Sequence, residues 1–100
     1  MSARAVLEGE LSFATVSQFL ERSDELLDGG VLDMSRVTRA DSAGLALLLE
    51  LTRRQRAKGS ELKLVSADPR IVRLAEFFGL EEVLRFQSNG EETAKQGDVA

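Results

Sequence analysis

The chain has 100 residues, of which 43% are hydrophobic and 30% are charged, and its formal net charge is −4. This negative charge disfavours nucleic acid as a partner, because phosphate binding needs a basic surface. This length allows one domain with one modest core; no stretch approaches the roughly 20 apolar residues that span a bilayer, and the first residues lack the apolar region of a signal peptide. The chain contains no cysteine and no histidine. The absence of cysteine excludes disulfides, and the absence of histidine excludes every Ser-His or Cys-His hydrolase. Both residues are the usual ligands of transition metals, so we expect no metal and no cofactor.

The first third of the chain predicts a strand and then a helix. Ala5–Leu11 alternates apolar and polar residues, which indicates a half-exposed strand. Ser12 can cap a helix from about Phe13 to Leu27, and Asp28-Gly29-Gly30 ends it. The apolar stripe of this helix comprises Val16, Leu20 and Leu27, with Phe13 and Phe19 beside it.

The middle of the chain predicts two more strands around a second helix. Val31–Met34 is a short, mostly apolar strand, and Ser35–Ala40 reads as a polar connection. A leucine-rich helix then runs from about Ala43 to Lys58, closed by Gly59. Leu62, Leu64 and Val65 mark the next short strand.

A third helix and a tail complete the chain. Asp68-Pro69 combines an N-cap residue with proline at the first helical position, and Gly79 ends the helix. The buried stripe of this helix is predicted to be Ile71, Leu74, Ala75 and Phe78. Val83–Phe86 indicates a last edge strand, whereas residues 87–100 have almost nothing to bury and predict a disordered tail.

These elements predict an α/β fold. One domain over residues 1–86 should contain a small mixed sheet, at least partly parallel, packed against three to four helices. Because a helix follows each strand, the leucine-rich helix should begin at the carboxyl end of the sheet. Open α/β folds usually place their binding sites at that edge.

Asp41 and Ser42 stand where the leucine-rich helix begins, and both are good N-cap residues. If Asp41 caps the helix, Ser42 keeps a free hydroxyl in the first turn; if Ser42 caps, its hydroxyl is used within the fold. Gly44 is unfavourable in a helix by about 1 kcal/mol relative to alanine, so it either accommodates local packing or lets a partner approach the backbone. The helix terminus would favour a phosphate on Ser42, and the neighbouring Asp41 would oppose it.

The leucines of this helix form an apolar arc that is wider than the stripe a surface helix must hide. Neighbouring helices on both sides are one explanation. The other is that a leucine near the helix start joins Ser42 in a contact surface for another protein.

Two stretches, "VLDMSRVTRADSAGLALLLEL" and "GSELKLVSADPRIVRLAEFFGLEEVL", resemble the STAS domain, the fold shared by sulfate transporters and anti-sigma-factor antagonists. The shared features are a short strand ending in Asp33, the Asp41-Ser42-x-Gly44 motif, a leucine-rich helix, a strand, and a helix that ends in Phe78-Gly79-Leu80. The resemblance covers about Val6 to Phe86.

Within the family the chain is similar to small, free-standing subunits of the ABC transporters that move phospholipid between the membranes of Gram-negative bacteria and maintain outer-membrane lipid asymmetry. The resemblance implies a non-enzymatic cytoplasmic protein that binds the ATPase subunit, and through it the permease, without contacting lipid. That branch often carries threonine where this chain has Ser42. Anti-sigma-factor antagonists carry serine there and a kinase phosphorylates it, so a phosphorylation-controlled antagonist is the alternative.

Both interpretations meet at the start of the leucine-rich helix, where we predict a protein contact. The candidate partner-binding residues are Arg36, Arg39, Asp41, Ser42, Gly44, Leu45 and Leu47. Arg36 and Arg39 could instead be ordinary solvated charges. For an enzyme, Asp33, Asp41 and Glu50 would have to act as acid and base, but no spacing brings them together.

Overall fold

The computed structural model describes residues 4–87, which contain four strands and four helices. In chain order these are β1 (Ala5–Leu11), α1 (Val16–Glu21), α2 (Ser23–Leu27), β2 (Val31–Ala40), α3 (Ser42–Ala57), β3 (Lys63–Val65), α4 (Pro69–Phe77) and β4 (Arg85–Gln87). None of these described helices has the length and apolar content that a membrane span requires.

The four strands form one sheet in the order β1-β2-β3-β4, and all three neighbouring pairs are parallel. The α/β class is therefore confirmed, but the expectation of a mixed sheet is wrong, because helical crossovers connect the described strands and no hairpin reverses the chain. Every crossover moves to the next strand in the same direction. Right-handed connections then place all four helices on one face of the sheet.

The core lies between that face and the helices, and it consists mainly of leucine. Both α3 and the strands contribute fully buried side chains, namely Leu7, Leu11, Leu32, Leu48, Leu51 and Leu64. Two polar contacts fix α3 against α2. The Arg54 guanidinium donates to the Ser23 hydroxyl over 2.9 Å, and the buried Gln55 amide donates to the Leu27 carbonyl over 3.1 Å.

The second strand is longer than its sequence predicted, because Ser35–Ala40 continues β2 instead of forming a connection. Strand β2 contains two β-bulges in its pairing with β1. At each bulge β2 has one more residue than β1, once opposite the segment from Val6 to Glu8 and once opposite the step from Gly9 to Glu10. These bulges interrupt the alternation of buried and exposed residues along β2. That interruption is why the segment looks like a polar loop in the sequence.

The predicted helix over residues 13–27 is divided into α1 and α2 at Arg22, whose φ of −105° and ψ of 18° depart from helical values. Ser12 does not cap it, since its hydroxyl accepts from the Ala14 amide in a preceding turn. Phe19 and Leu27 are buried as expected, but Phe13 is 85% exposed. The prediction for Phe13 is wrong because the chain is still in that turn when it passes this residue.

The last helix and strand also differ from their predictions. Ile71 and Ala75 are buried in α4, whereas Phe78, which we expected in the same stripe, is half exposed just beyond the end of the helix. The final strand is β4 at Arg85–Gln87. Gln87, the first residue of the predicted tail, belongs to that strand, and residues 88–100 lie outside the described residues.

Candidate partner-binding site

The candidate site lies at the carboxyl edge of the sheet, where β2 ends and α3 begins. Asp41 has an extended backbone and its carboxylate Oδ1 accepts a hydrogen bond from the Gly44 amide over 3.0 Å. The Asp41 amide donates to the Leu11 carbonyl at the end of β1 over 3.1 Å. Asp41 is therefore the N-cap, and of the two alternatives the one that frees the Ser42 hydroxyl is found.

Ser42 is the first residue of α3, and its side chain is exposed. Within residues 4–87 its hydroxyl has no hydrogen-bond partner. A hydroxyl can both donate and accept, and here it stands beside the unpaired amides and partial positive charge of a helix N-terminus. The Ser42 hydroxyl is therefore accessible from outside without the loss of a hydrogen bond to any residue from 4 to 87.

Gly44 is buried, and its lack of a side chain serves the packing within the chain. A Cβ atom at this position would lie 2.3 Å from the Leu11 carbonyl oxygen and 2.8 Å from the Leu11 Cβ. Real Cβ atoms essentially never lie within 3.0 Å of a non-bonded heavy atom, so only glycine lets the first turn of α3 lie on the end of β1. Of the two explanations for this glycine, the close approach to Leu11 supports local packing.

Leu45 and Leu47 are not part of any surface, because both are 2% exposed and belong to the hydrophobic core. The expectation that they contact a partner is wrong. Neighbouring elements cover the apolar arc of α3 except at one margin, where Leu49 is 36% exposed. The outer face of α3 instead carries Ala46 and Leu49, which follow Ser42 at intervals of four and three residues.

The two predicted arginines lie on the bulged part of β2. Arg36 is exposed and its guanidinium lies 3.5 Å from the Glu8 carboxylate of β1. Arg39 lies closer to Ser42, is exposed, and makes no ion pair with any residue from 4 to 87. It also lines a shallow hollow of about 210 Å³ between the end of β2 and the start of α4.

One wall of that hollow is formed by an ion pair at the start of α4. The Arg70 guanidinium donates to both Asp68 oxygens, over 3.1 and 2.8 Å, and the Arg70 amide donates to the same carboxylate. These hydrogen bonds lower the pKa of Asp68 to about 2, and the bonds from the guanidinium have a larger effect than the one from the amide. Asp68 is therefore ionised at neutral pH, and the hollow offers a partner fixed charges of both signs.

Phe13 is a surface residue at this edge that the sequence patterns did not reveal as one. It follows Leu11 by two residues, as Ser42 follows Ala40, and Leu11 pairs with Ala40 in the sheet. The two side chains therefore emerge from neighbouring strand ends. Phe13 is 85% exposed, so this edge carries a large apolar side chain at the surface.

The three carboxylates considered for acid–base chemistry are engaged separately. Asp33 accepts from the Ser35 amide over 2.8 Å, which together with the Ser35 hydroxyl lowers the Asp33 pKa. The Glu50 carboxylate accepts hydrogen bonds from the guanidinium groups of Arg53 and Arg54, and these bonds, chiefly the one from Arg53, lower the pKa of Glu50 to about 2. In the part of the chain that the structure describes, no group of three or more Asp or Glu side chains could hold a metal ion.

Comparison with known proteins places this geometry in a family. The family model described as "Mlab, STAS domain" matches residues 2–85. The chain belongs to the STAS domain family. Among curated STAS relatives, the "Intermembrane phospholipid transport system binding protein MlaB" of Escherichia coli is 33% identical over 75 residues, which is 74% of this chain and 77% of the relative. The protein of the same name from Shigella flexneri matches equally well.

Solved structures of the STAS fold agree in their overall architecture. A Thermotoga maritima protein described as an anti-sigma factor antagonist superposes with a TM-score of 0.70 at 20% identity, covering 84% of this chain and 77% of its own. The anti-sigma factor antagonist SpoIIAA in its unphosphorylated form superposes with a TM-score of 0.65 at 24% identity, covering 91% and 85%. At these identities the likeness concerns the fold alone.

Proposed function

We propose that this STAS protein is a non-enzymatic cytoplasmic subunit of an Mla-type ABC transporter that moves phospholipid between the inner and outer membranes. In this proposal it binds the MlaF-like ATPase subunit, which connects it to the permease on the cytoplasmic face of the inner membrane. The identity to proteins named as intermembrane phospholipid transport binding proteins supports the assignment. The observation that carries the contact is the exposed Ser42 hydroxyl at a helix start that is already capped by Asp41.

The proposed contact surface comprises Ser42, Phe13, Ala46, Leu49 and Arg39. Ser42 contributes one hydrogen bond, worth about 0.5–1.5 kcal/mol when the patch is desolvated. Phe13 contributes more, because burying an exposed aromatic side chain is worth about 1.5–3 kcal/mol. Arg39, which makes no ion pair with the described residues, adds a positive charge at the rim, and such a charge affects the association rate more than the affinity. Asp41 and Gly44 position this surface without belonging to it.

The experiment is affinity capture of the tagged chain from membranes of its own organism, with the ATPase and the permease detected by mass spectrometry. Ser42→Thr keeps the hydroxyl and should retain both proteins, whereas Ser42→Glu puts a buried charge into the interface and should release them. Ser60→Glu is the matched control, because it adds the same charge to an exposed serine after the far end of α3. Retention of the ATPase by Ser42→Glu would show that the surface lies elsewhere.

The alternative, an anti-sigma-factor antagonist controlled by phosphorylation, rests on the same exposed hydroxyl. A phosphate on Ser42 would gain from the helix N-terminus but would stand beside the Asp41 carboxylate. Intact mass spectrometry of the protein isolated from its own cells separates the two functions. The transporter subunit should carry no phosphate in any growth phase, and the antagonist should carry one that is lost when Ser42 is replaced by alanine.

A further inference from the structure

Two adjacent phenylalanines at the end of α4 are left outside the core. Phe77 is 82% exposed and Phe78 is 51% exposed. Phe77 is the last residue of α4 and follows the buried Ala75 by two residues, so helical spacing places it on the outer face. Phe78 lies in the turn that ends the helix, in which the Leu80 amide donates to the Ala75 carbonyl and the Gly79 amide to the Glu76 carbonyl, each over 2.9 Å. This Schellman turn packs the partly buried Leu80, and not Phe78, against the core.

The two rings form one continuous apolar patch. Their centroids are 5.5 Å apart and their planes meet at 82°, an edge-to-face arrangement that aromatic rings favour. Single exposed apolar side chains are common on protein surfaces, whereas the contiguous apolar patch of a monomer is often functional. The faces of aromatic rings also attract cations.

Among the described residues, the charges around this patch that make no ion pair are mostly negative. Glu76, Glu81 and Glu82 are exposed and lie within five residues of the ring pair, and within residues 4–87 none of them makes an ion pair. Three cations lie near these carboxylates: Arg73, one turn before Phe77, Arg85, and Arg56, whose guanidinium donates to the Val83 carbonyl over 3.5 Å. Arg56 and Arg85 both lie 3.6 Å from the Glu61 carboxylate, so the patch joins two ring faces to an acidic rim of three glutamates that make no ion pair within the described residues.

We propose that the Phe77–Phe78 patch is a second docking surface, which binds a cationic amphipathic segment of a partner protein. Aliphatic side chains of that segment cover the rings, and its lysines or arginines lie over the ring faces and beside the glutamates. An anionic membrane surface is disfavoured because the acidic rim repels it. A second copy is also disfavoured, since a two-fold contact would bring the same acidic rims together. This inference does not depend on the function proposed for Ser42.

The test uses the isotope-labelled full chain, titrated with a short synthetic helix of leucine and lysine and followed by NMR chemical shifts. The shifts should concentrate around Phe77 and Phe78. The double variant Phe77→Ser/Phe78→Ser should weaken binding by roughly tenfold or more, as expected for aromatic anchors. Val6→Thr is the control, because it trims an exposed apolar side chain on the distant strand β1. A helix with glutamate in place of lysine should not bind.

Three outcomes would overturn the proposal. Shifts that spread over the other acidic side chains, or that persist in the double variant, would mean nonspecific attraction to a chain of net charge −4. Phenylalanine-dependent binding to phosphatidylglycerol vesicles would assign the patch to a membrane. Self-association that the double variant abolishes would assign it to a second copy. Should the double variant unfold, the single change Phe77→Ser at the more exposed ring replaces it.

Discussion

Replacing Gly44 by alanine tests the contact that sets the position of Ser42. In a solvent-exposed helix this change would stabilise the fold by about 1 kcal/mol, because alanine has the higher helix propensity. In α3 the new Cβ would lie 2.3 Å from the Leu11 carbonyl oxygen and 2.8 Å from the Leu11 Cβ. Propensity and packing therefore predict opposite signs.

We expect packing to prevail. Overpacking of a filled site costs about 1–3 kcal/mol, and the cost should fall in the upper part of that range because the obstructing atom belongs to the backbone. That carbonyl oxygen also accepts from the Asp41 amide over 3.1 Å, so moving it aside would weaken the bond that anchors the helix start. Subtracting the propensity gain leaves a net destabilisation of about 1–2 kcal/mol. For a domain of this size, each kcal/mol lowers the melting temperature by about 4–8 °C.

Urea unfolding followed by circular dichroism measures this difference. Ala46→Gly on the exposed side of the same helix is the control, and should lose about 1 kcal/mol through propensity alone. If Gly44→Ala were as stable as the parent chain or more stable, α3 would not rest on the end of β1. The placement of the Ser42 hydroxyl would then lose its structural basis.

Three further predictions concern single side chains. Asp41→Ala removes the N-cap of α3 and should cost about 0.5–2 kcal/mol in the same unfolding assay, whereas Asp41→Asn should cost less. Thr52 is buried and, in the described residues, its hydroxyl has no partner, so Thr52→Val should raise stability by on the order of 1 kcal/mol; a loss would indicate that the hydroxyl is satisfied. Hydrogen bonds from Arg70 lower the pKa of Asp68 to about 2 in the folded chain, whereas an unfolded aspartate has a pKa of about 4. The ionised Asp68 therefore stabilises the fold fully above pH 4, and this stabilisation is lost as the pH falls from about 4 towards 2. Asp68→Asn should therefore flatten the stability profile over that interval, and an unchanged slope would contradict the role of Arg70.

Short-range signals predicted the fold well because they are local. Asp-Pro at residues 68–69 fixes the start of α4 through a cap and a restricted φ angle, and both are present. The order of strands and helices indicates parallel crossovers but does not exclude an antiparallel strand, so a mixed sheet was expected where all three strand pairs are parallel. Asp41 as the cap of α3 was one of two alternatives, because nothing in the sequence ranks it above Ser42. The choice depends on β1, whose Leu11 carbonyl binds the Asp41 amide.

The errors in the candidate site have one physical cause. Periodicity identifies the apolar side chains of α3 but not which neighbours cover them, so it does not show that Leu45 and Leu47 belong to the core and not to a contact surface. The same limit hid Phe13, because an exposed aromatic residue and a core aromatic residue look alike in a sequence. The bulges of β2 arise from its pairing with β1, and no local pattern marks them.

The two proposed surfaces should act independently, because they lie at opposite edges of the sheet. In parallel crossovers every helix starts at the carboxyl edge, where Ser42 lies, and ends at the amino edge, where Phe77 and Phe78 lie. The nine residues of α4 alone separate its ends by about 13 Å at 1.5 Å per residue. Substitutions this far apart without shared partners have additive effects.

Ser42→Glu should therefore leave the affinity for the leucine–lysine helix unchanged, and Phe77→Ser/Phe78→Ser should leave capture of the ATPase unchanged. The variant that combines all three substitutions should lose both capture of the ATPase and affinity for the leucine–lysine helix, each to the same extent as in the separate variants. The measurement is the full cycle of single and combined variants in both binding assays. If the phenylalanine variant also released the ATPase, one partner would contact both edges, and the cationic segment would have to be sought in the ATPase itself.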